Sequence, residues 1–262
     1  MNFKKRKKNS EGTDENFDKD NYDNIARIEM SLPLNKLKQQ SGISQMNNLF
    51  KPPFELYYEL IRRNIENRMV VLELGSGTGR HTGQLIATGA SIMALDISEE
   101  SLKVAKLKYP KIKEIIPANM NCIPLPDNSV DAVVSCGSLS YSDPEKTNQE
   151  IIRVMRNGGI LIALDSLNHN PVYRLNRFAR YLVNRRSKAS IERIPSLARI
   201  RSLENHFSSS QAYFFGSYLW LMLPIQKVFG KTLTFKLNNL LERVLPSSKY
   251  AFKFVLICKG RK

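Results

Sequence analysis

Three glycines alternate with other residues directly after a short apolar run in the first third of the chain. Gly75, Gly77 and Gly79 form this loop, and the acid Glu73 lies two residues before it. A short run of branched apolar residues predicts a buried strand, and glycine lets the backbone turn tightly and approach a ligand. Arg80 occupies the place of the last glycine in a dinucleotide fingerprint. Because a carboxylate beside the loop repels a pyrophosphate but attracts an amine, the pattern predicts a nucleotide-like cofactor that carries positive charge.

A second acid ends the next predicted buried strand. That strand covers residues 91–96, and its last residue, Asp96, lies 21 residues after Gly75. In open parallel sheets a carboxylate at this position binds the hydroxyls of a ribose. The two acids and the glycine loop together therefore predict a binding site for a cationic nucleoside.

These segments resemble those of the class I S-adenosylmethionine-dependent methyltransferases. The resemblance is to the small-molecule branch of that family, and the chain is similar to enzymes associated with bacterial surface-polysaccharide synthesis. It extends over residues 54–165, and segments 118–131 and 150–164 look like later motifs of the family. The resemblance implies that the chain is a methyltransferase enzyme whose cofactor is S-adenosyl-L-methionine.

The resemblance also implies a role for each residue of the cofactor site. The glycine loop would lie under the methionine and ribose parts, Glu73 would hold the cationic end, and Asp96 would bind the ribose. The other residues would contact the adenine or lie near the transferred methyl group. The implied set is Glu73, Gly75, Ser76, Gly77, Gly79, Asp96, Ile97, Asn119, Met120 and Cys136. The family usually has an acid at the position of Asn119, so we expect weaker recognition of the adenine amino group.

Methyl transfer to a hydroxyl needs a group that accepts the hydroxyl proton, and histidine is the usual one near neutral pH. His169 is our candidate catalytic base, because its segment follows the fifth predicted strand, where acceptors often bind in the resembling family. Its neighbours Asn168 and Asn170 are candidates for binding sugar-like hydroxyls of the substrate. The alternative for His169 is a turn histidine with a structural hydrogen bond. His81 follows the glycine loop and is predicted to face the cofactor, with a capping or structural role equally open.

Strands and helices alternate along the middle of the chain, which predicts a parallel sheet covered by helices on both faces. We expect an α/β fold with a doubly wound, mostly parallel seven-stranded Rossmann-like sheet and a helical insertion before the last strands. Ser98 is predicted to cap the helix after the second strand. In the resembling family the terminal strand lies antiparallel beside the fifth. The expected units are a disordered tail at 1–24, helices closing over the cofactor at 25–66, a cofactor-binding core at 67–170, a basic helical insertion at 171–248 and a terminal strand at 249–262.

The positive charge of the chain is concentrated in its last third. The 262 residues include 40 Lys and Arg against 24 Asp and Glu, and residues 171–262 hold 18 against 3. A basic surface attracts phosphate-bearing partners. The basic last third therefore favours an anionic acceptor and peripheral contact with a membrane. The alternative is a solvated surface that binds no such partner.

We therefore predict O-methylation of a small or glycan- or lipid-linked acceptor. RNA is the second candidate acceptor, although no RNA-binding module is recognisable in the sequence. The third hypothesis is a non-catalytic binding protein on the same fold. Three cysteines without metal or disulfide spacing predict reduced thiols and no metal site. Since no apolar signal region follows the basic N-terminus, we expect a cytoplasmic protein, with the inner membrane face as a peripheral site.

Overall fold

The computed structural model describes residues 12–39, 41–182, 187–245 and 248–262. Its helices are α1 Gly12–Met30, α2 Leu34–Gln39, α3 Pro52–Asn64, α4 Thr82–Ile86, α5 Glu99–Lys108, α6 Pro144–Val154, α7 Pro171–Leu182, α8 Lys188–Glu192, α9 Leu197–Glu204 and α10 Leu219–Val244. Its strands are β1 Val70–Leu74, β2 Ser91–Asp96, β3 Glu114–Pro117, β4 Val130–Cys136, β5 Met155–Ser166, β6 Phe207–Phe215 and β7 Lys253–Arg261. Short 3₁₀ turns cover Asn48–Phe50, Leu139–Tyr141 and Ser248–Tyr250.

The strands form one sheet in the order β3-β2-β1-β4-β5-β7-β6. The strands from β3 to β5 pair in parallel, whereas β7 pairs antiparallel with both β5 and β6. The predicted α/β class with a doubly wound, mostly parallel sheet is therefore confirmed, and so is the antiparallel last strand beside the fifth. The strand order reverses between β1 and β4, and open α/β sheets bind ligands at the carboxyl ends of the strands beside such a reversal.

The core lies on both faces of this sheet. Successive residues of a strand point to opposite faces, and the central strands are apolar on both faces. Leu72 and Leu74 of β1 belong to one buried cluster, whereas Val71 belongs to the cluster on the opposite face. On that second face α3 packs its residues Tyr57 and Ile61, which lie one helical turn apart and are almost fully buried. Each fully buried side chain of this kind stabilises the fold by about 2 kcal/mol. This rigid core fixes the positions of the loops that follow β1, β2 and β4.

The N-terminal segment differs from the prediction of a disordered tail at 1–24. Residues 1–11 lie outside the described ranges, but the chain is helical from Gly12 onward. The polar composition of α1 predicted disorder, whereas the helix is in fact held by polar contacts to α5. Ser98 Oγ donates a 2.5 Å hydrogen bond to Asp23, and Lys108, only 2% exposed, pairs with Glu29 at 2.7 Å. These partners lie far apart in sequence, so no local pattern could have indicated them.

The predicted helical insertion at 171–248 contains helices α7 to α10 but also the edge strand β6, which the sequence did not predict. Residues Ser208, Ser209 and Ser210 give the start of β6 a polar, mostly exposed character. The strand forms because β7 supplies its hydrogen-bonding partner over the register from Phe207 with Arg261 to Phe215 with Lys253. An edge strand with one partner has no buried apolar alternation to reveal it in the sequence.

Candidate functional site

A cavity of about 550 Å³ opens at the carboxyl ends of β1, β2 and β4, where the strand order reverses. The loops after these strands line it, and α1 covers it. Most of the residues implied by the family resemblance line this cavity, namely Gly75, Ser76, Gly77, Asp96, Ile97, Asn119, Met120 and Cys136. The structure thus brings together residues that are spread over more than sixty positions of the sequence.

The glycine loop leaves room for a ligand and presents a polar atom to it. Gly75 and Gly77 have φ angles of 63° and 53°, in the left-handed region that favours glycine. A Cβ on Gly75 would lie 2.2 Å from the Cβ of Ser138, whereas a Cβ on Gly77 would meet nothing within 4 Å. Ser76 Oγ is buried and has no hydrogen-bond partner among the described residues. A buried hydroxyl without a partner fits a polar ligand that supplies one, as S-adenosylmethionine would.

Asp96 joins the glycine loop to the helix that follows β2. Its Oδ2 accepts a 2.8 Å hydrogen bond from Gly77 N, and its Oδ1 accepts a 2.9 Å bond from Ser98 N. Ser98 in turn caps α5 by accepting from Ser101 N at 3.0 Å, which confirms the predicted cap. Burial raises the pKa of the Asp96 carboxyl, and the backbone hydrogen bonds oppose this rise. Because each carboxylate oxygen has a second lone pair, Asp96 can still accept from the hydroxyls of a ligand in the cavity.

Glu73 and Gly79 do not belong to the described cavity lining, although both were implied as cofactor contacts. A Cβ on Gly79 would lie 3.1 Å from the Cβ of Ala105, so this glycine allows the loop to pack closely on α5. Glu73 is buried in β1, and its Oε2 accepts a 2.6 Å hydrogen bond from Thr82 Oγ1. Burial raises the pKa of Glu73 from 4.5 to about 7, the Thr82 hydrogen bond opposes the rise, and Asp96 adds to it. A cationic ligand nearby would favour the ionised form of this carboxyl.

Asn119 and Met120 lie after β3 on another side of the cavity. Asn119 Oδ1 accepts a 2.9 Å hydrogen bond from Asn121 N, and Asn119 Nδ2 donates to Glu15 Oε1 on α1. The amide oxygen that was predicted to accept from an adenine amino group is therefore partly used by its own loop. Met120 presents an almost fully buried apolar side chain to the cavity. The two residues thus combine a polar edge with an apolar face.

His81 lines the cavity among aromatic rings that no local motif indicated. Its ring stacks on Phe54, with centroids 5.5 Å apart and an angle of 20° between the planes. His81 Nδ1 lies 2.7 Å from the hydroxyl oxygen of Tyr58, and the tautomer decides which group donates. Burial, reinforced by Arg80 and Lys253, lowers the pKa of His81 to about 3. The imidazole is therefore neutral at physiological pH.

Lys253, the first residue of β7, brings positive charge beside His81 and Cys136. Its Nζ lies 5.1 Å from the centre of the Phe54 ring and 5.3 Å from that of Phe252. Burial raises the pKa of the Cys136 thiol well above its usual range, and Lys253 opposes that rise. Cys136 is therefore a neutral thiol in the cavity wall. No pattern in the sequence indicated Lys253, because β7 is separated from β4 by more than one hundred residues.

Tyr58 and Phe54 are also functional candidates that the sequence analysis did not single out. Both lie on α3, four residues apart, and therefore on one face of that helix. The helical spacing of apolar residues predicted the helix, but the same spacing is expected of any helix that packs on a sheet. The only available signal was the density of aromatic residues in α3, where Tyr57 lies between them.

The structure does not bring His169 to the described cavity lining. His169 Nε2 accepts a 3.0 Å hydrogen bond from Leu197 N at the start of α9. The preceding residue, Asn168, is half-buried, and its backbone N–H donates to Pro195 O at 3.0 Å. These contacts join the loop after β5 to the segment before α9. The geometry corresponds to the alternative of a turn histidine with a structural hydrogen bond, and the role of His169 as a base stays a prediction.

Asn170 likewise has structural hydrogen bonds. It is almost fully buried, and its Oδ1 accepts from Val172 N at 3.0 Å in the first turn of α7. Its Nδ2 donates a 2.7 Å hydrogen bond to Tyr250 O. These bonds start α7 and fix it beside the segment before β7. The proposed contact of Asn170 with a substrate hydroxyl therefore also stays a prediction.

One face of α1 covers the cavity. The contributing residues recur at helical spacing and are Glu15, Asp18, Tyr22, Ile25 and Glu29. The Tyr22 ring packs edge-on against Tyr141, which follows β4, with centroids 5.6 Å apart. Covering helices were expected within residues 25–66; α1 begins earlier, at Gly12, and its last part, with Ile25 and Glu29, falls within that range. Three of the five covering side chains are acidic, which favours a cationic ligand beneath them.

Comparisons with known proteins match the same part of the chain that contributes most of the cavity lining. A family model described as a methyltransferase domain matches residues 72–163, which include the glycine loop, Asp96, Asn119 and Cys136. An uncharacterized methyltransferase of Mycobacterium bovis is 38% identical over 91 residues, which are 35% of this chain and 37% of that protein. A demethylmenaquinone methyltransferase of Renibacterium salmoninarum is 35% identical over 96 residues, or 36% of this chain and 40% of that protein. The matched segment thus spans less than half the length of these relatives.

A solved structure has the same fold. It is the crystal structure of a geranyl diphosphate C-methyltransferase from Streptomyces coelicolor, in complex with Mg²⁺, geranyl diphosphate and S-adenosyl-L-homocysteine. The similarity has a TM-score of 0.55 at 15% identity and covers 80% of this chain and 79% of that one. At this identity the likeness describes the fold, in which the described cavity lies beside the reversal of strand order.

Proposed function

The chain contains a class I S-adenosylmethionine-dependent methyltransferase domain, and on this premise we propose that it methylates a hydroxyl of an anionic, amphipathic acceptor. The acceptor is a small, glycan-linked or lipid-linked molecule. One observation carries the proposal. The buried carboxylate of Asp96, the open backbone of Gly77 and the hydroxyl of Ser76, which has no partner in the part of the chain that the structure describes, converge on one cavity inside the segment that matches the family.

The residues present fit the cofactor. When bound, S-adenosyl-L-methionine supplies a methyl group on a cationic sulfur. Asp96 would accept from the ribose hydroxyls, and Ser76 would gain a hydrogen-bond partner, which the described residues do not supply. Ile97 and Met120 would pack against the adenine, and Glu73 would balance positive charge from behind the loop. Because α1 covers part of the cavity, it shields the site from some of the water, which strengthens these interactions.

A second cavity supports an acceptor with an apolar part. It measures about 350 Å³ and is lined mainly by apolar and aromatic side chains, among them Tyr213, Phe215 and Phe252, with Lys253 at its wall. Lys253 Nζ also lies over Phe54, on which His81 of the first cavity stacks. Phe54 and Lys253 therefore lie between the two cavities. An acceptor with its apolar part in the second cavity and an anionic group at Lys253 would place a hydroxyl near His81.

His81 is the histidine best placed to receive the acceptor proton. It lines the cavity as a neutral ring, and only a neutral imidazole can accept a proton. When Nδ1 donates to the Tyr58 oxygen, Nε2 is left free to accept. Burial is the main cause of the lowered pKa of His81, and an anionic acceptor would raise that pKa only by offsetting the smaller effects of Arg80 and Lys253. His169 is the competing candidate, and variants of the two histidines separate them.

The names of two similar proteins support an acceptor of this class. One is a demethylmenaquinone methyltransferase, and the other is a geranyl diphosphate C-methyltransferase. A geranyl diphosphate combines an apolar chain with an anionic group, which is the combination that the second cavity and Lys253 would accommodate. The alternative is methylation at a carbon atom. Analysis of the product distinguishes a methylated carbon from a methylated hydroxyl.

The first experiment is calorimetric titration of the full chain with S-adenosyl-L-homocysteine. We expect micromolar binding in the wild type and a loss of about 1–3 kcal/mol in Asp96→Ala, because the ribose hydroxyls would lose a charged acceptor. Asp20→Ala, which removes an exposed aspartate of α1, is the matched control and should bind like the wild type. Thermal unfolding of each variant verifies that it is folded. A wild type that does not bind would favour the non-catalytic hypothesis.

Acceptors are then screened with radiolabelled S-adenosyl-L-methionine. Lipid-linked sugars, sugar nucleotides and RNA are supplied in parallel, at two salt concentrations. We expect label in the lipid-linked or nucleotide-linked class, in a product that carries the methyl group as a methyl ether. Label in RNA, with binding that falls steeply as salt rises, would support the RNA hypothesis instead.

A further inference from the structure

The second half of α10 buries two polar residues and exposes several apolar ones, while Phe235 and Leu241 pack against the protein. Thr234 and Asn238 are 0% and 4% exposed, and Asn238 Oδ1 has no hydrogen-bond partner among the described residues. On the outward side of the helix Leu233, Leu240 and Val244 are 56%, 57% and 63% exposed. These residues and Leu237 recur at intervals of three and four, so they form one stripe along the helix. A helix whose only interfaces were the protein core and water would have the reverse arrangement.

Two neighbouring segments add to this apolar surface. Before the break at Gly230, where φ is 75°, α10 exposes Trp220, Val228 and Phe229. On α7, Val172, Leu175, Phe178 and Leu182 are exposed at helical spacing. Monomeric proteins rarely expose contiguous apolar patches of more than a few hundred Å². We call the stripe of α10 together with these two segments the apolar surface.

Helices α7 and α10 are anchored to one hydrophobic cluster. Tyr173 of α7 stacks on Phe252, with ring centroids 3.7 Å apart. Leu219 and Met222 of α10 belong to the same cluster as Tyr173, and Phe252 packs against it. The two helices thus share this cluster near their N-terminal ends, and Phe235 and Leu241 of the second half of α10 pack against it as well.

Basic residues accompany the apolar ones. Arg174 and Arg180 on α7 and Lys227, Lys231 and Lys236 on α10 are all exposed. The last third of the chain, to which both helices belong, has 18 basic residues against 3 acidic ones. Apolar side chains with flanking lysines and arginines are typical of helices that lie in the interface of an anionic membrane. In the described ranges, none of the helices combines the length and apolarity needed to cross a bilayer.

We infer that the apolar surface docks on the surface of a bilayer that contains anionic lipid, with α7 and α10 lying in the interface. The apolar stripe enters the boundary between headgroups and acyl chains, and the lysines and arginines bind lipid phosphates. A second copy of this chain fits less well, because like faces would bring two strongly basic regions together. The inference does not depend on catalysis. It also places the second cavity, which is lined in part by Asn238 and Arg243 of α10, close to the membrane.

The only tryptophan of the chain reports directly on this docking. Trp220 is 46% exposed and belongs to the apolar surface. We expect its fluorescence to shift to shorter wavelength when vesicles of phosphatidylcholine and phosphatidylglycerol are added, and the protein to sediment with them. Vesicles of phosphatidylcholine alone should bind much more weakly, since each basic side chain near an anionic surface strengthens binding about fivefold.

Two pairs of matched variants separate the apolar and the charged parts. Leu233→Gln with Leu240→Gln should abolish sedimentation with the anionic vesicles, whereas Leu107→Gln, which changes an exposed leucine of α5, should not. Lys227→Gln with Lys231→Gln should weaken binding roughly 25-fold. The control Lys111→Gln with Lys113→Gln changes two exposed lysines near β3 and should bind like the wild type. Circular dichroism and binding of S-adenosyl-L-homocysteine show that each variant is folded.

Three results would overturn the inference. The first is a wild type that neither sediments with anionic vesicles nor changes its Trp220 emission. The second is equal binding of the leucine pair and the wild type. The third is a stable dimer by light scattering that protects Trp220 from a soluble quencher and leaves the vesicles unbound, which would assign the apolar surface to self-association.

Discussion

The Thr82 hydroxyl donates a 2.6 Å hydrogen bond to Glu73 Oε2 and so ties the first turn of α4 to the buried strand β1. The glycine loop connects these two residues, which means that the carboxyl lies directly behind the loop that would receive the cofactor. Burial makes this carboxyl an acid with a pKa of about 7. Its ionisation therefore links the pH to the stability of the site.

The stability of the cofactor-free protein should depend on pH through Glu73. The folded-state pKa is raised above the usual 4.5, so the folded state binds the proton more tightly than the unfolded state. The resulting stabilisation is complete below about pH 4.5 and is lost as the pH rises through about 7, a change of about 3 kcal/mol. Glu73→Gln should remove this part of the pH dependence, as measured by urea unfolding at several pH values.

His81 acts on stability in the opposite sense, so the comparison must be made between variants. Its lowered pKa reduces stability as the pH falls below about 6.5, which partly cancels the effect of Glu73 in the wild type. Glu114→Gln, at an exposed glutamate of β3, is the control and should leave the profile unchanged. Parallel profiles of Glu73→Gln and the wild type would show that the pKa of Glu73 is not raised in the folded protein.

Gly75→Ala should destabilise the protein by more than the strain of its left-handed backbone alone would cause. The new Cβ would lie 2.2 Å from the Cβ of Ser138, and the residue has a φ of 63°. Gly42→Ala is a suitable control, since Gly42 has a similar φ of 74° but nothing within 4 Å of its Cβ. The control isolates the cost of the left-handed backbone, about 1 kcal/mol. Thermal unfolding should show a clearly larger loss for Gly75→Ala, together with weaker binding of S-adenosyl-L-homocysteine, and equal losses would contradict the clash.

His81→Ala should lower turnover by about 10²-fold or more once an acceptor is known, if His81 receives the acceptor proton. Binding of S-adenosyl-L-homocysteine should change little. His169→Ala should instead reduce stability, because Leu197 N loses its acceptor, and leave turnover of the folded fraction near that of the wild type. The reverse outcome, slow turnover in His169→Ala and normal turnover in His81→Ala, would return the role of base to His169.

Lys253→Met should raise the KM for an anionic acceptor at least about tenfold, because the acceptor loses a charged partner while the apolar stem is kept. The affinity for S-adenosyl-L-homocysteine should stay unchanged, since Lys253 does not belong to the described lining of the first cavity. The control Lys259→Met changes an exposed lysine on the same strand. A KM that is the same in both variants would remove the anionic group from the proposed acceptor.

The sequence by itself determined the features that depend on neighbouring residues. The apolar runs of β1 and β2, the glycines between β1 and α4, Asp96 at the end of β2 and the Ser98 cap all lie within thirty residues. Their conformations follow from local backbone preferences and from the alternation of apolar residues. The order of helices and strands then predicted a doubly wound sheet, and hence a cofactor site at the carboxyl ends of its strands.

Only the tertiary structure decided which distant residues complete the site. The covering helix α1 lines the cavity, whereas Tyr58 and Lys253 act on His81 in its wall, and packing that joins such distant segments leaves no periodic trace in the sequence. The edge strand β6 exists because β7 pairs with it, and a polar edge carries no apolar alternation. The exposed stripe of α10 could not be predicted for a related reason. The spacing of apolar residues shows that a helix has an apolar face, but not whether that face points to the core or to the outside.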